Sequence, residues 1–189
     1  MSRVLKNALM LSHDILNRVV GEGDVVVDAT CGKGVDTVFL SKLVGENGKV
    51  YSFDIQEIAI DIAKKNVVTS GCSDNVEFVL DGHENMDAYV VDKPKAVVFN
   101  LGYLPTGDHK IATKAHTSVA AREKAISLVE KNGVVVVVVY SGGDTGFEEK
   151  DLVLEFVSKL NPKDCNVMKV DFVNQINNPP VLLCIEKLF

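Results

Sequence analysis

Val134-Val135-Val136-Val137-Val138-Val139-Tyr140 is the stretch that most narrows the folds open to this chain. β-Branched side chains are stiff at χ1 and suit the pleat of a strand. With both side-chain rows apolar, such a strand needs cover on both of its faces. That places it inside a sheet with helices above and below, and the rest of the chain supplies those partners in alternation.

Residues 4–20 carry Val4, Leu5, Ala8, Leu9, Ile15, Leu16, Val19 and Val20 mostly on one helical face, and Gly21 and Gly23 end that helix. A strand over Val25–Val27 runs into Asp28, and a helix follows over 35–44, with Val35, Val38, Phe39 and Leu43 at helical spacing. Lys49 to Phe53 is a second strand ending at Asp54, and Gln56 to Ser70 a helix with Ile58, Ile62, Ala63 and Val67 inward. Val76 to Leu80 is a third strand, followed by a helical turn near Asn85 to Tyr89 and a fourth strand over Lys95–Phe99. Helices over Ala115–Glu130 and Glu149–Leu160 flank the valine strand. Val167–Val173 and Val181–Ile185 are two final strands. Strand–helix alternation implies a parallel sheet with right-handed crossovers. The short connection between the last two strands makes that pair antiparallel. With no repeat, low-complexity tract or linker, the expectation is a single α/β domain over residues 1–189.

The stretch from Val25 to Thr37 carries the chemistry. Strand, glycine turn and helix start succeed one another, and Gly32 and Gly34 can take positive φ and admit a ligand close to the backbone. The helix that opens behind them presents free N–H groups to an anion. In an open α/β sheet, ligands bind outside the carboxyl ends of the strands. Those ends here are Asp28, Asp54, Asp81 and Asn100. Asp54 lies beyond the glycine turn where an acid can accept both ribose hydroxyls; the alternative is a cap for the helix after it. Asp81 could accept from an adenine amine or serve the turn before Gly82, and His83 could line the same pocket edge or sit in a solvated turn. Asp28, an acid at the mouth of the turn, would repel a pyrophosphate. It suits a ligand with an ammonium and a sulfonium, which favours S-adenosylmethionine over NAD. Cys31 lies in the turn with no base to activate it, as a small lining residue.

At the fourth end, Asn100-Leu101-Gly102-Tyr103-Leu104-Pro105 places an amide three residues before an aromatic ring. Asn100 can accept hydrogens from an amine while Tyr103 stacks on a base; a loop that merely packs is the alternative.

A net charge of −6 argues against bulk, non-specific nucleic-acid binding. Lys110, Lys114, Arg122 and Lys124 still form a local basic cluster that could meet RNA phosphates or simply be a solvated helix face. Cys31, Cys72, Cys165 and Cys184 are scattered, and His13, His83, His109 and His116 have no metal-site spacing. No apolar run is long enough to cross a bilayer. A cytoplasmic protein with reduced thiols and no metal is the simplest account.

Asp28 to Thr37, Phe53-Asp54-Ile55-Gln56, Gly82-His83-Glu84, Phe99 to Pro105, Thr113-Lys114, Val138-Val139-Tyr140, Asn174 to Pro180 and Ile185-Glu186-Lys187 together resemble one family across nearly the whole chain. It is the family labelled rRNA methylases, which includes bacterial tRNA methyltransferases of the wobble uridine. The resemblance implies a class I methyltransferase (Rossmann-like) fold, with a seven-stranded, mostly parallel sheet, an antiparallel C-terminal strand and helices on both faces. It implies S-adenosylmethionine as cofactor and conversion of 5-aminomethyl-2-thiouridine to 5-methylaminomethyl-2-thiouridine in the tRNA anticodon stem-loop. By the same resemblance, Asp28, Gly32 and Asp36 surround the methionine part, and Thr30, Cys31, Gly34 and Thr37 belong to that cofactor turn. Asp54 and Gln56 hold the ribose and adenine edge, Asp81 and His83 lie beyond the adenine, and Asn100 and Tyr103 face the target amine. A homodimer would help a small acidic protein build a continuous RNA surface. The rival activities are methylation of rRNA or another amine, an NAD-dependent oxidoreductase, and a non-catalytic RNA-binding module.

Overall fold

The computed structural model describes residues 6–72, 74–101, 115–140 and 146–189. Helix α1 (Ala8–Val19) precedes strand β1 (Val25–Asp28), α2 (Val35–Val44), β2 (Lys49–Asp54), α3 (Glu57–Thr69) and β3 (Val76–Leu80). A short 3-10 helix (His83–Ala88) leads to β4 (Ala96–Leu101), then α4 (Ala115–Leu128), β5 (Val134–Val139), α5 (Gly146–Ser158), β6 (Cys165–Val170) and β7 (Val181–Lys187). The Asn7 side chain caps α1 by accepting the Met10 N–H at 2.8 Å.

The seven strands form one sheet in the order β3-β2-β1-β4-β5-β7-β6. The pairs from β3 through β5 are parallel, and β7 runs antiparallel to both of its neighbours. The expected antiparallel end is therefore present, but the last strand inserts between β5 and β6. All six residues of β5 are buried, as an all-valine strand requires. Odd-numbered strand residues, Val27, Tyr51, Phe53, Val97, Phe99, Val135 and Val137 among them, form a core beneath α4, α5 and the 3-10 helix. Even-numbered residues such as Val26, Val50, Val98, Val136 and Val138 face α1 and α2, and α3 packs on β2 and β3.

Two helices turn differently from their apolar spacing. In α2 the buried set is Asp36, Thr37, Leu40, Ser41 and Val44, while Val35 is 63% exposed. In α3, Ala59, Ile60, Ala63 and Val67 are buried, and Ile58 faces water. Each rotation is set by a partner distant in sequence: Thr37 bonds the end of β1, and Ala63 packs on Gly34.

Candidate active site

The first strand stops short of its neighbours. Asp28 pairs with Ser52 on one side and Val98 on the other, so β2 runs two residues further, to Asp54, and β4 three, through Asn100 to Leu101. The chain leaving β1 fills the notch between them, donating from the Ala29 N–H to the Val98 carbonyl and from the Cys31 N–H to the Phe53 carbonyl. This is where strand order reverses, the switch point at which open α/β sheets place ligands. Asp28, Ser52, Asp54 and Asn100 share one face by the two-residue period of the pleat.

Asp54 holds the turn in place. Its Oδ2 accepts the Gly32 N–H and its Oδ1 the Gln56 N–H, each at 2.9 Å. Gln56, not Asp54, stands at the cap position of α3. The carboxylate is part-exposed and keeps lone pairs free, so it can still accept vicinal hydroxyls. The two glycines serve different ends. Gly32 (φ +51°) would meet only the Thr30 carbonyl, at 3.9 Å, if given a Cβ. Gly34 (φ +77°) would put a Cβ 2.9 Å from that of Ala63, so its missing side chain admits α3 rather than a ligand.

Asp28 lies beneath this turn, fully buried. It accepts the Thr30 N–H at 3.1 Å and the Thr37 hydroxyl at 2.6 Å, and Thr37 is 2.8 Å from Ser52 Oγ. Burial, with the charges of Asp36 and Asp54, pushes its pKa up to about 7 against the lowering pull of its hydrogen bonds. Asp28 is thus a buried support of the turn, and any influence on a ligand is by charge through the backbone. Cys31 is buried as well, and its thiol is pushed up to about 12, mainly by burial and then by Asp28.

Asp36 is also buried and accepts from two sides: His13 Nε2 at 2.8 Å and Asn100 Nδ2 at 2.9 Å. The Asn100 backbone N–H donates to Thr30 Oγ1 at 2.7 Å, which ties β4 to the glycine turn. Asn100 Oδ1 is left buried with no hydrogen-bond partner among the described residues. An orphaned buried acceptor of this kind marks where a donor belongs. Tyr140, just past β5, lies on the same side, and burial and the Asp36 charge raise its phenol above the ordinary value. His13 and Tyr140 were not read from the sequence as part of the site; His13 sits on a helix 23 residues before Asp36, beyond any local pattern.

The residues expected at the far edge divide. Asp81 accepts from the Gly82 N–H, Asn85 Nδ2 and the Tyr89 hydroxyl, so it organises the turn it opens, and these bonds hold its pKa below the usual carboxylate value. His83 is no solvated turn residue: it is buried, with Nδ1 3.1 Å from the Ala29 carbonyl and its ring edge-on to Phe99. Burial keeps it neutral at ordinary pH, with Nδ1–H donating and Nε2 left as an acceptor.

The basic cluster needs correction. Arg122 is fully buried on α4, its guanidinium 5.3 Å from the Phe99 ring centre, and cannot meet a phosphate on the surface. Lys124 pairs with Asp87 at 2.7 Å. Lys110, Lys114 and Tyr103 lie outside the described residues. Two open clefts, one along Val157–Val167 and one at Gly23–Val25 and Asn47–Lys49, lie away from this site.

The turn can hold a ligand with hydroxyls at Asp54 and a positive centre near Asp28 and Asp36, beside an amide acceptor. Residues 50–186 match the family described as "Putative rRNA methylase". Residues 1–90 also match "Protein-L-isoaspartate(D-aspartate) O-methyltransferase (PCMT)". The chain is 32% identical to the chloroplastic tRNA (mnm(5)s(2)U34)-methyltransferase of Arabidopsis thaliana, over 96% of this chain and 70% of that protein. A "putative rRNA-methylase" structure from Clostridium thermocellum matches with TM-score 0.96 and 52% identity, over 98% of this chain and all (100%) of the other. A "putative methyltransferase" from Streptococcus mutans, solved in complex with SAH, matches with TM-score 0.90 and 39% identity over 98% and 100% of the two chains.

Proposed function

The chain belongs to the rRNA methylase family of class I methyltransferases, and from that premise we propose that it methylates the aminomethyl nitrogen of 5-aminomethyl-2-thiouridine at the tRNA wobble position. It is an S-adenosylmethionine-dependent RNA methyltransferase by kinship, and the finer assignment rests on one observation above others. Asn100, one residue before the end of β4 and beside the glycine turn, offers a buried amide oxygen with no partner among the described residues. An amine N–H is the donor such an oxygen suits. The similarity to the chloroplastic tRNA enzyme over 96% of this chain favours the same target.

The residues around the turn fit the cofactor. Asp54 keeps acceptor capacity for ribose hydroxyls, and the carboxylates of Asp36 and Asp54 beside one turn suit a cation better than a pyrophosphate. S-adenosylmethionine, when bound there, supplies a methyl group made electrophilic by its sulfonium. The chain's own part is to bind, orient and dry the acceptor. Asn100 Oδ1 accepts one N–H of the neutral amine and leaves the nitrogen lone pair free to point at the methyl carbon. The amine nitrogen, cationic once it has taken the methyl group, would release its proton to water. A strong general base is not needed, because the amine is nucleophilic once neutral.

Nucleoside mass analysis of tRNA from a strain lacking the protein tests this reading. Accumulation of 5-aminomethyl-2-thiouridine, reversed by the purified protein with S-adenosylmethionine, is the expected result. Unchanged wobble nucleosides, with a methyl group missing from rRNA instead, would transfer the activity to the ribosome.

A further inference from the structure

Three elements meet at Asp36. His13 of α1 reaches its Oδ1 at 2.8 Å, and Asn100 of β4 reaches its Oδ2 at 2.9 Å. The His13 ring is itself fixed, stacked on Phe39 of α2 with centroids 3.9 Å apart and planes 5° from parallel. Each carboxylate oxygen thereby accepts one hydrogen bond, and the row ends in Asn100 Oδ1, which has no partner among the described residues.

We propose that His13 is a positioning residue for methyl transfer, acting through Asp36 to hold the Asn100 side chain in one of its two amide orientations. This rests on the reading of Asn100 as the acceptor facing the target amine. The two ends of an amide are nearly equal in shape and opposite in hydrogen bonding. With Nδ2 donating to Asp36, the oxygen faces the amine and accepts its N–H. With the amide reversed, an N–H would face the amine and engage the very lone pair that attacks the methyl carbon. The reversed amide would also set its oxygen against the Asp36 carboxylate. A carboxylate free to swing could follow the amide, and the His13 N–H on its other oxygen prevents that. His13 therefore bears on whether the bound amine is reactive, without touching it.

Two variants separate this role from packing. His13→Phe keeps an aromatic ring to stack on Phe39 and deletes the N–H, while His13→Gln restores a donor. Turnover would be measured on tRNA bearing 5-aminomethyl-2-thiouridine. Side-chain NH2 exchange of Asn100 would be followed by 15N NMR, its signal assigned by loss in Asn100→Asp. For His13→Phe, the loss of a charge-assisted hydrogen bond predicts a kcat lower by about tenfold and NH2 exchange faster by about tenfold. KM for the cofactor and the tRNA should stay within about twofold. His13→Gln should recover part of both losses. Unchanged Asn100 exchange in His13→Phe overturns the proposal, whatever happens to stability, and so does faster exchange with unchanged kcat. Wild-type protein inert on this tRNA would instead overturn the substrate reading, while the exchange comparison still decides whether His13 governs the amide.

Discussion

Thr37 Oγ1 donates to Asp28 Oδ2 at 2.6 Å, joining the first turn of α2 to the end of β1 inside the molecule. The bond holds a carboxylate that burial and two neighbouring acids would otherwise drive to its neutral form. Asp28 consequently carries a stability cost that depends on pH. Below its unfolded value near 3.8 both states hold the proton, and the cost is absent. Between there and about 7 the unfolded chain ionises first, so stability falls as pH rises, and above that the cost is constant. Relative to wild type, Asp28→Asn should therefore gain stability steadily from about pH 4 to about pH 7 and level off beyond. Urea midpoints across that range check it; a difference that does not vary with pH would refute the raised pKa.

Gly34 and Gly32 should answer alanine differently. Alanine at Gly34 combines a φ of +77° with a Cβ 2.9 Å from Ala63. Backbone strain and overpacking together predict a loss of about 2–4 kcal/mol. Alanine at Gly32 meets nothing closer than 3.9 Å and carries only the strain of positive φ, about 1–2 kcal/mol. Denaturant titration of both variants orders them.

Asp54→Ala should weaken binding of S-adenosylhomocysteine by about 10- to 100-fold, the range for hydrogen bonds to a charged group. Its two backbone bonds to Gly32 and Gln56 also go, so the turn loosens with the loss of the hydroxyl acceptor. Calorimetry provides the measurement, and comparison with 2′- and 3′-deoxy analogues isolates the hydroxyl contribution. If the deoxy analogues bind wild type as tightly as the parent, Asp54 does not take the ribose.

Arg122→Met tests the corrected view of the basic cluster. A fully buried guanidinium against Phe99 belongs to the packing of α4 on β4. The variant should change thermal stability and leave the salt dependence of tRNA binding at its wild-type slope. A slope reduced by about one, as for a lost phosphate contact, would return Arg122 to the RNA surface.

The sequence by itself determined the order of strands and helices, because each is written in a local period. It also determined that Asp28 and Asp54 stand at strand ends and Asn100 within one residue of one, since each closes an apolar run. The pleat then puts them on one face once the register is known. Only the tertiary structure decided how α2 is rotated. Its apolar spacing points to Val35, whereas Asp36 and Thr37 turn inward because Asp28, His13 and Asn100 offer them hydrogen bonds. Burial of a polar group is repaid by partners anywhere in the chain, and no local window contains them. The same holds for Arg122 within the core and for β7 between β5 and β6, where long-range pairing sets the outcome. The glycine turn is written in one dimension; the His13–Asp36–Asn100 row beside it exists only in three.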